Sequence, residues 1–164
     1  MNKKASSQGS GENLAPSKAA PLIVDQARML LPGIQALFGF QLIAVFNQTF
    51  SEKLNPFEQR IHLLAIALIV ITSIILITPA AYHRQMEVQD VTEGFIHLAT
   101  RLILASMIPL ALSICLDFYL ISRIILNDVA LSLLFSTLLL LLFLAFWFGL
   151  PRIEALHRRL ARKP

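Results

Sequence analysis

The chain has 164 residues, of which 56% are hydrophobic and 15% charged, with a mean hydropathy of +0.68. That excludes an ordinary soluble domain, in which about a quarter of residues are charged. The net charge of +4 would point toward nucleic acid in a soluble protein; here the basic residues mark topology instead, and no nucleic-acid partner is expected.

Residues 1–20 are rich in Ser, Gly, Lys and Ala without apolar periodicity and read as a disordered cytoplasmic tail. They show no cleavable signal sequence, because the first apolar run is too long and no small-residue cleavage pattern follows it. A membrane domain is expected over 21–151, with spans at about 29–50, 58–81, 102–121 and 129–150, and a basic cytoplasmic tail over 152–164. A hydrocarbon layer roughly 30 Å thick needs about 20 helical residues, and unpaired backbone there costs several kcal/mol, so helices are the spanning elements. The fold class is therefore all-α, a four-helix transmembrane bundle with antiparallel neighbours. A soluble all-α domain would need polar helix faces, yet 131–150 is apolar around nearly its whole circumference.

Span 1 is the least apolar, carrying Pro32, Gly33, Gln35, Gly39, Gln41, Asn47 and Gln48. Its proline and glycines permit a bend or the close approach of a neighbouring helix. Asn55, Pro56 and Glu58 form an N-cap, first-turn proline and capping-box acid, so span 2 starts near Pro56 and runs to about Thr78, where Pro79 permits a kink or stop. Asp90 with Glu93 forms a second box before span 3, and Glu93, His97 and Arg101 then repeat every four residues on one face. A short connection over 123–128 makes spans 3 and 4 antiparallel neighbours, with Asn127 or Asp128 capping span 4. Pro151 ends or bends that span, and the tail after it has the pattern of a short basic amphipathic helix on anionic lipid.

Lysine and arginine fall unequally about these spans. The N-terminus, the connection between spans 2 and 3 and the C-terminal tail hold Lys3, Lys4, Lys18, Arg28, Arg84, Arg101, Arg152, Arg158, Arg159, Arg162 and Lys163, 11 in all, against 3 opposite, Lys53, Arg60 and Arg123. The positive-inside rule then places both termini in the cytoplasm.

Polar residues within the spans are the functional clue. Ser106, Ser113 and Asp117 share a stripe on span 3, Gln41 and Gln48 lie seven apart on span 1, and Asp128, Ser132 and Ser136 form a looser row. Gln41, Gln48, Ser106, Ser113 and Asp117 are the candidate intramembrane polar path. The plain alternative is interhelical hydrogen bonding, worth about 0.6 kcal/mol per bond. Asp117 is the sharpest of them, because an intramembrane acid usually faces a cavity or partner. It lies about one turn from the expected end of span 3, where hydration, Arg60 or His62 would also account for it.

A second cluster, Arg28, Tyr82, His83, Arg84, Glu93 and Arg101, lies at the cytoplasmic ends. It reads either as headgroup anchoring or as a gate or docking surface. No cofactor is expected. His62 and His83 stand at opposite ends of span 2, His97 and His157 lie outside the spans, and Cys115 alone offers neither a disulfide nor zinc-ligand spacing. No nucleophile with a base, phosphate-binding glycine loop or catalytic carboxylate pair is evident, so an enzyme is disfavoured.

The LPG-x-Q motif at 31–35, the NPFEQR connection at 55–60 and PAAYHR at 79–84 resemble those of a family of small bacterial integral membrane proteins classed as a domain of unknown function. The resemblance implies four helices and an undefined role. Some members carry a sodium/proton antiporter label, with no motif that transfers a site to this chain. The expectation is a non-enzymatic membrane module in contact with lipid that self-assembles or binds a membrane-protein partner. The alternative is a small cation/proton antiporter or channel subunit in which Asp117 titrates.

Overall fold

The computed structural model describes residues 16–85 and 93–153. Among these, every regular element is helical: α1 Pro16–Val45, α2 Gln48–Lys53, α3 Pro56–Gln85, α4 Glu93–Leu126 and α5 Val129–Leu144, the last continued by a π-turn at Ala145–Gly149. Four segments are long and apolar enough to cross a bilayer: Asp25–Val45, Pro56–Tyr82, Gly94–Leu126 and Val129–Ile153. Large apolar side chains cover their outer surfaces, including Phe40, Ile43, Leu63, Ile74, Leu134 and Phe146. In water such a surface would be an aggregation site; in lipid it is solvated. The four apolar helices fit a multi-pass membrane protein.

A seven-residue period explains how the helices meet. On α3, Glu58, His62, Ala65, Ile69, Thr72, Leu76 and Pro79 are all buried, at alternating spacings of four and three. On α4 the same spacing runs through Ala99, Ile103, Ser106, Leu110, Ser113, Asp117 and Leu120, each buried or half-buried. On α1 it runs through Ala27, Leu31, Ile34, Phe38 and Gln41. A 3.5-residue repeat keeps one seam facing its neighbours, as in coiled coils, and small residues such as Ala65, Ala99 and Ser113 let the backbones come close. Ala27 and Ile34 of α1 meet Ile69 and Leu76 of α3 in the apolar core. Gln41, His62, Thr72, Ser106, Ser113 and Asp117 all sit on these seams.

The caps explain the connections. Asn55 Oδ1 accepts from the amides of Phe57 and Glu58, both at 2.9 Å, while Glu58 Oε2 accepts from the Asn55 amide at 3.0 Å, completing the expected capping box. Asp128 Oδ1 accepts from the Leu131 amide at 3.1 Å and starts α5. Asn127 stops α4 by taking φ 51°, a left-handed conformation that asparagine tolerates.

Several expectations need correction. The helix does not stop at Pro79 but continues to Gln85, and Pro109 is likewise accommodated inside α4. Prolines are tolerated inside membrane-spanning helices that pack against neighbours. Helix α1 already begins at Pro16, inside the stretch read as tail. Gly33 and Gly39 receive no neighbouring helix: a Cβ at either would meet no atom within 4 Å. Asp90 and the basic residues beyond Ile153 lie outside the described residues. The π-turn inserts one residue into the α5 seam, so that Trp147 follows Phe143 inward, their ring centroids 4.6 Å apart.

Candidate functional site

Three helices converge near the end of the bundle that carries α2. Gln41, in the last turns of α1, is only 3% exposed. His62, on the second turn of α3, is 6% exposed, and Ser113 on α4 is fully buried. Asp117, one turn further along α4, has a side chain 14% exposed. The antiparallel pairing of α3 with α4 sets the start of one beside the final turns of the other, and the seam aims all four side chains inward.

The bonding is dense. Gln41 Nε2 donates to Ser113 Oγ at 3.0 Å and to Asp117 Oδ2. Ser113 Oγ in turn donates to the Ala65 carbonyl at 2.8 Å, joining α1, α4 and α3 through one hydroxyl. His62 Nδ1 lies 3.1 Å from Asp117 Oδ1, and His62 Nε2 lies 2.9 Å from the Gln41 carbonyl. Since Ser113 donates elsewhere and Asp117 presents an acceptor, both neighbours require the amide nitrogen of Gln41, which fixes the orientation of the side chain. Its Oε1 is left buried, with no hydrogen-bond partner among the described residues. An orphaned acceptor of this kind costs about 1–3 kcal/mol.

Counting protons is informative. A carbonyl only accepts, so His62 Nε2 carries a hydrogen toward Gln41. With that tautomer, a hydrogen bond between Nδ1 and Asp117 Oδ1 requires one further proton on either atom, and in both cases the pair is neutral overall. Removing it would leave a net negative charge and an imidazole lone pair facing a carboxylate. Adding one would leave a net positive charge in a site of low polarity. The arrangement is thus a one-proton centre held at the negatively polarised end of α1.

Helix α2 covers it. Asn47 Oδ1 accepts from the Thr49 amide at 3.0 Å, ending α1 and turning the chain back over the bundle. Phe50 then lies edge-on to the His62 ring, with centroids 5.1 Å apart. Leu54 is buried beside it. A cavity of about 190 Å³ remains between α1, α2 and α4, with Leu37, Phe40, Phe50, Leu54 and Ile121 in its walls and Gln41, His62 and Asp117 at its polar end. One turn closer to the start of α3, Glu58 pairs with Arg123 of α4 at 3.1 Å. The arginine Nε–H is not aligned on that oxygen, so the contact is chiefly coulombic.

Of the expected polar path, Gln41, Ser113 and Asp117 are brought together. Ser106 is buried on the same seam but bonds the carbonyl of Ile103 in its own helix. Gln48 is not on the path, because the helix breaks before it and leaves it exposed on α2. Arg60 is exposed, and His62 is the partner of Asp117. Asp117 is also further from the end of its helix than expected: α4 continues nine residues beyond it to Leu126, roughly 14 Å at helical rise.

The second cluster does not assemble among the described side chains. Arg28 is exposed and lies 3.8 Å from Asp25 of its own helix. Tyr82 stacks on Phe95, with centroids 6.0 Å apart, while Arg84 and Arg101 are exposed. The side chains of His83 and Glu93 lie outside those described. No group of three His, Cys, Asp or Glu side chains able to hold a metal occurs among the described residues.

Residues 21–151 match the DUF6328 family, a family of unknown function. The chain belongs to that family. No curated protein and no solved structure matches it. The matched segment contains all four apolar spans up to Pro151, and with them every residue of the polar centre of this DUF6328 member.

His62 is the principal residue that sequence reasoning left off the path. The signal was present: His62 continues the Ala65, Ile69, Thr72, Leu76 repeat by one step.

Proposed function

We propose that this protein is a non-enzymatic, multi-pass protein of the bacterial inner membrane whose Gln41–His62–Asp117 centre takes up and releases a proton in exchange for a cation. Both termini are cytoplasmic in this reading, which rests on the 11 against 3 distribution of lysine and arginine about the spans. The observation that carries the proton reading is the contact of His62 Nδ1 with Asp117 Oδ1 at 3.1 Å, on two helices apolar enough to span a membrane and beside a cavity. Buried ionisable groups at such a position are expensive and are commonly functional. The test uses purified protein in liposomes with an internal pH-sensitive dye and an imposed cation gradient. Proton movement is expected, and Asp117→Asn and His62→Leu are expected to abolish it. Inert vesicles, or variants that behave as the parent, overturn the reading.

A second reading, self-assembly, is favoured by Gln35. This amide is exposed in the middle of an apolar span, on the wall of a groove between α1 and α3 of about 560 Å³. An amide donates and accepts, so two copies related by a twofold axis can satisfy each other. Crosslinking in membranes is expected to recover a dimer that Gln35→Leu weakens; a solitary protomer counts against it.

A further inference from the structure

Gln41 Oε1 is a buried acceptor with no partner among the described residues, on a residue only 3% exposed, and Gln41 is one of the residues that line the 190 Å³ cavity. Asp117 lines it too, so its polar end presents acceptors. The rest of the wall is hydrocarbon and phenyl ring. Phe40 and Ile121, which line the cavity, are also largely exposed on the lipid-facing surface between α1 and α4. Approach is therefore through the apolar flank of the bundle. A bare metal ion does not suit that route, because it would have to shed its water in hydrocarbon while keeping its charge, whereas an ammonium can leave its proton in water and cross as the neutral amine. An apolar body with a donor head suits both the route and the site. The volume corresponds to about six waters of liquid, below the range of drug-sized pockets, and so limits the ligand to a small molecule or a single headgroup.

We infer that the cavity between α1, α2 and α4 binds a primary ammonium group carried on a small apolar body, which donates to Gln41 Oε1 and to Asp117. The inference rests on the proton-centre reading and names the cation exchanged. Charge balance follows directly. The empty centre is neutral, with one proton between His62 and Asp117. The ammonium leaves one proton in water as it enters, takes up the proton of the pair on binding and becomes the counter-charge of Asp117, while His62 stays neutral with its hydrogen on Nε2. The centre is neutral before and after, so one proton leaves for each ammonium bound. The nearest other charged groups are Glu58 and Arg123, one turn away and paired with each other. Neither α1 nor α2 presents a titratable group to the His62–Asp117 pair: Gln41 offers an amide and Phe50 a ring, while Glu52 and Lys53 are exposed. Exchange is thus governed by the pair itself.

The source of the ammonium is either a free amine or an ethanolamine lipid headgroup, and the experiment separates them. Full-length protein in phosphatidylcholine nanodiscs is titrated calorimetrically with phenethylamine in two buffers of different ionisation enthalpy. Saturable binding with close to one proton released is expected. At least a tenfold loss is expected for the N,N,N-trimethyl analogue, which has no N–H, and for Gln41→Leu. Ala44→Phe fills the cavity without touching the bonded groups, and is expected to block binding while helicity is kept. Competition when phosphatidylethanolamine replaces part of the lipid identifies the headgroup as the resident ligand; equal binding in both lipids identifies the free amine. No binding, equal binding of the trimethyl analogue, or binding unaffected by Ala44→Phe overturns the site. If amine binding fails while protein from the same preparation still moves protons in liposomes, the ligand falls and the proton centre stands; if amine binds without proton release, the exchange falls.

Discussion

Replacing Asp117 by leucine removes the acceptor from His62 Nδ1 and from one Gln41 N–H, while replacing His62 by leucine leaves the Asp117 carboxylate with Gln41 alone. Breaking a buried ion pair from one side costs about 3–5 kcal/mol. With 7% and 14% of the two side chains exposed, the lower end applies, about 3 kcal/mol for each single variant. The double variant removes both stranded groups together. It loses only ordinary interhelical bonds, averaging about 0.6 kcal/mol and reaching at most about 1.7 kcal/mol each, partly offset by added apolar packing, so its total is about 2 kcal/mol. Independent effects would total about 6 kcal/mol, which gives a coupling energy of about 4 kcal/mol, well beyond the roughly 0.5 kcal/mol scatter of additive sites. The assay is equilibrium unfolding in mixed micelles, followed by helicity, for the parent, both single variants and the double. Coupling below about 1 kcal/mol would mean that His62 and Asp117 contribute independently and would refute the reasoning.

In the same unfolding assay, Asn55→Ala is expected to cost about 1 kcal/mol or somewhat more, because its side chain holds two amides at the start of α3. Asp128→Ala, which frees one amide of α5, is expected to cost about 1 kcal/mol. Either loss falling below about 0.3 kcal/mol contradicts the corresponding cap. Gly33→Ala meets no atom within 4 Å and adds helix propensity, so it is expected to stabilise the protomer by up to about 1 kcal/mol. If the exposed face of α1 is a self-association surface, the same substitution lowers the yield of crosslinked dimer; an unchanged yield separates Gly33 from that surface.

What could be read in advance and what could not have the same physical origin. Gln41, Ser113 and Asp117 were legible because an ionisable or hydrogen-bonding group in an apolar span usually faces protein, and the seven-residue seam shows which side that is. Gln48 was misplaced by extending that period through Asn47, whose side chain competes for the backbone as an N-cap and ends α1. Hydropathy marked the end of span 3 near 121, yet α4 runs on to Leu126, since Arg123 finds Glu58 on the neighbouring helix and need not turn away toward solvent. That extension draws Asp117 two and a half turns inside the helix. Once the acid is there, the antiparallel register brings it to His62, which local pattern alone had left among possible partners. The polar centre is thus a product of two caps and one register. Asn47 folds α2 over it, Asn55 sets the turn on which α3 begins, and the α3–α4 seam places an imidazole against a carboxylate; shifting any of these by one residue would rotate a side chain of the site out of the seam.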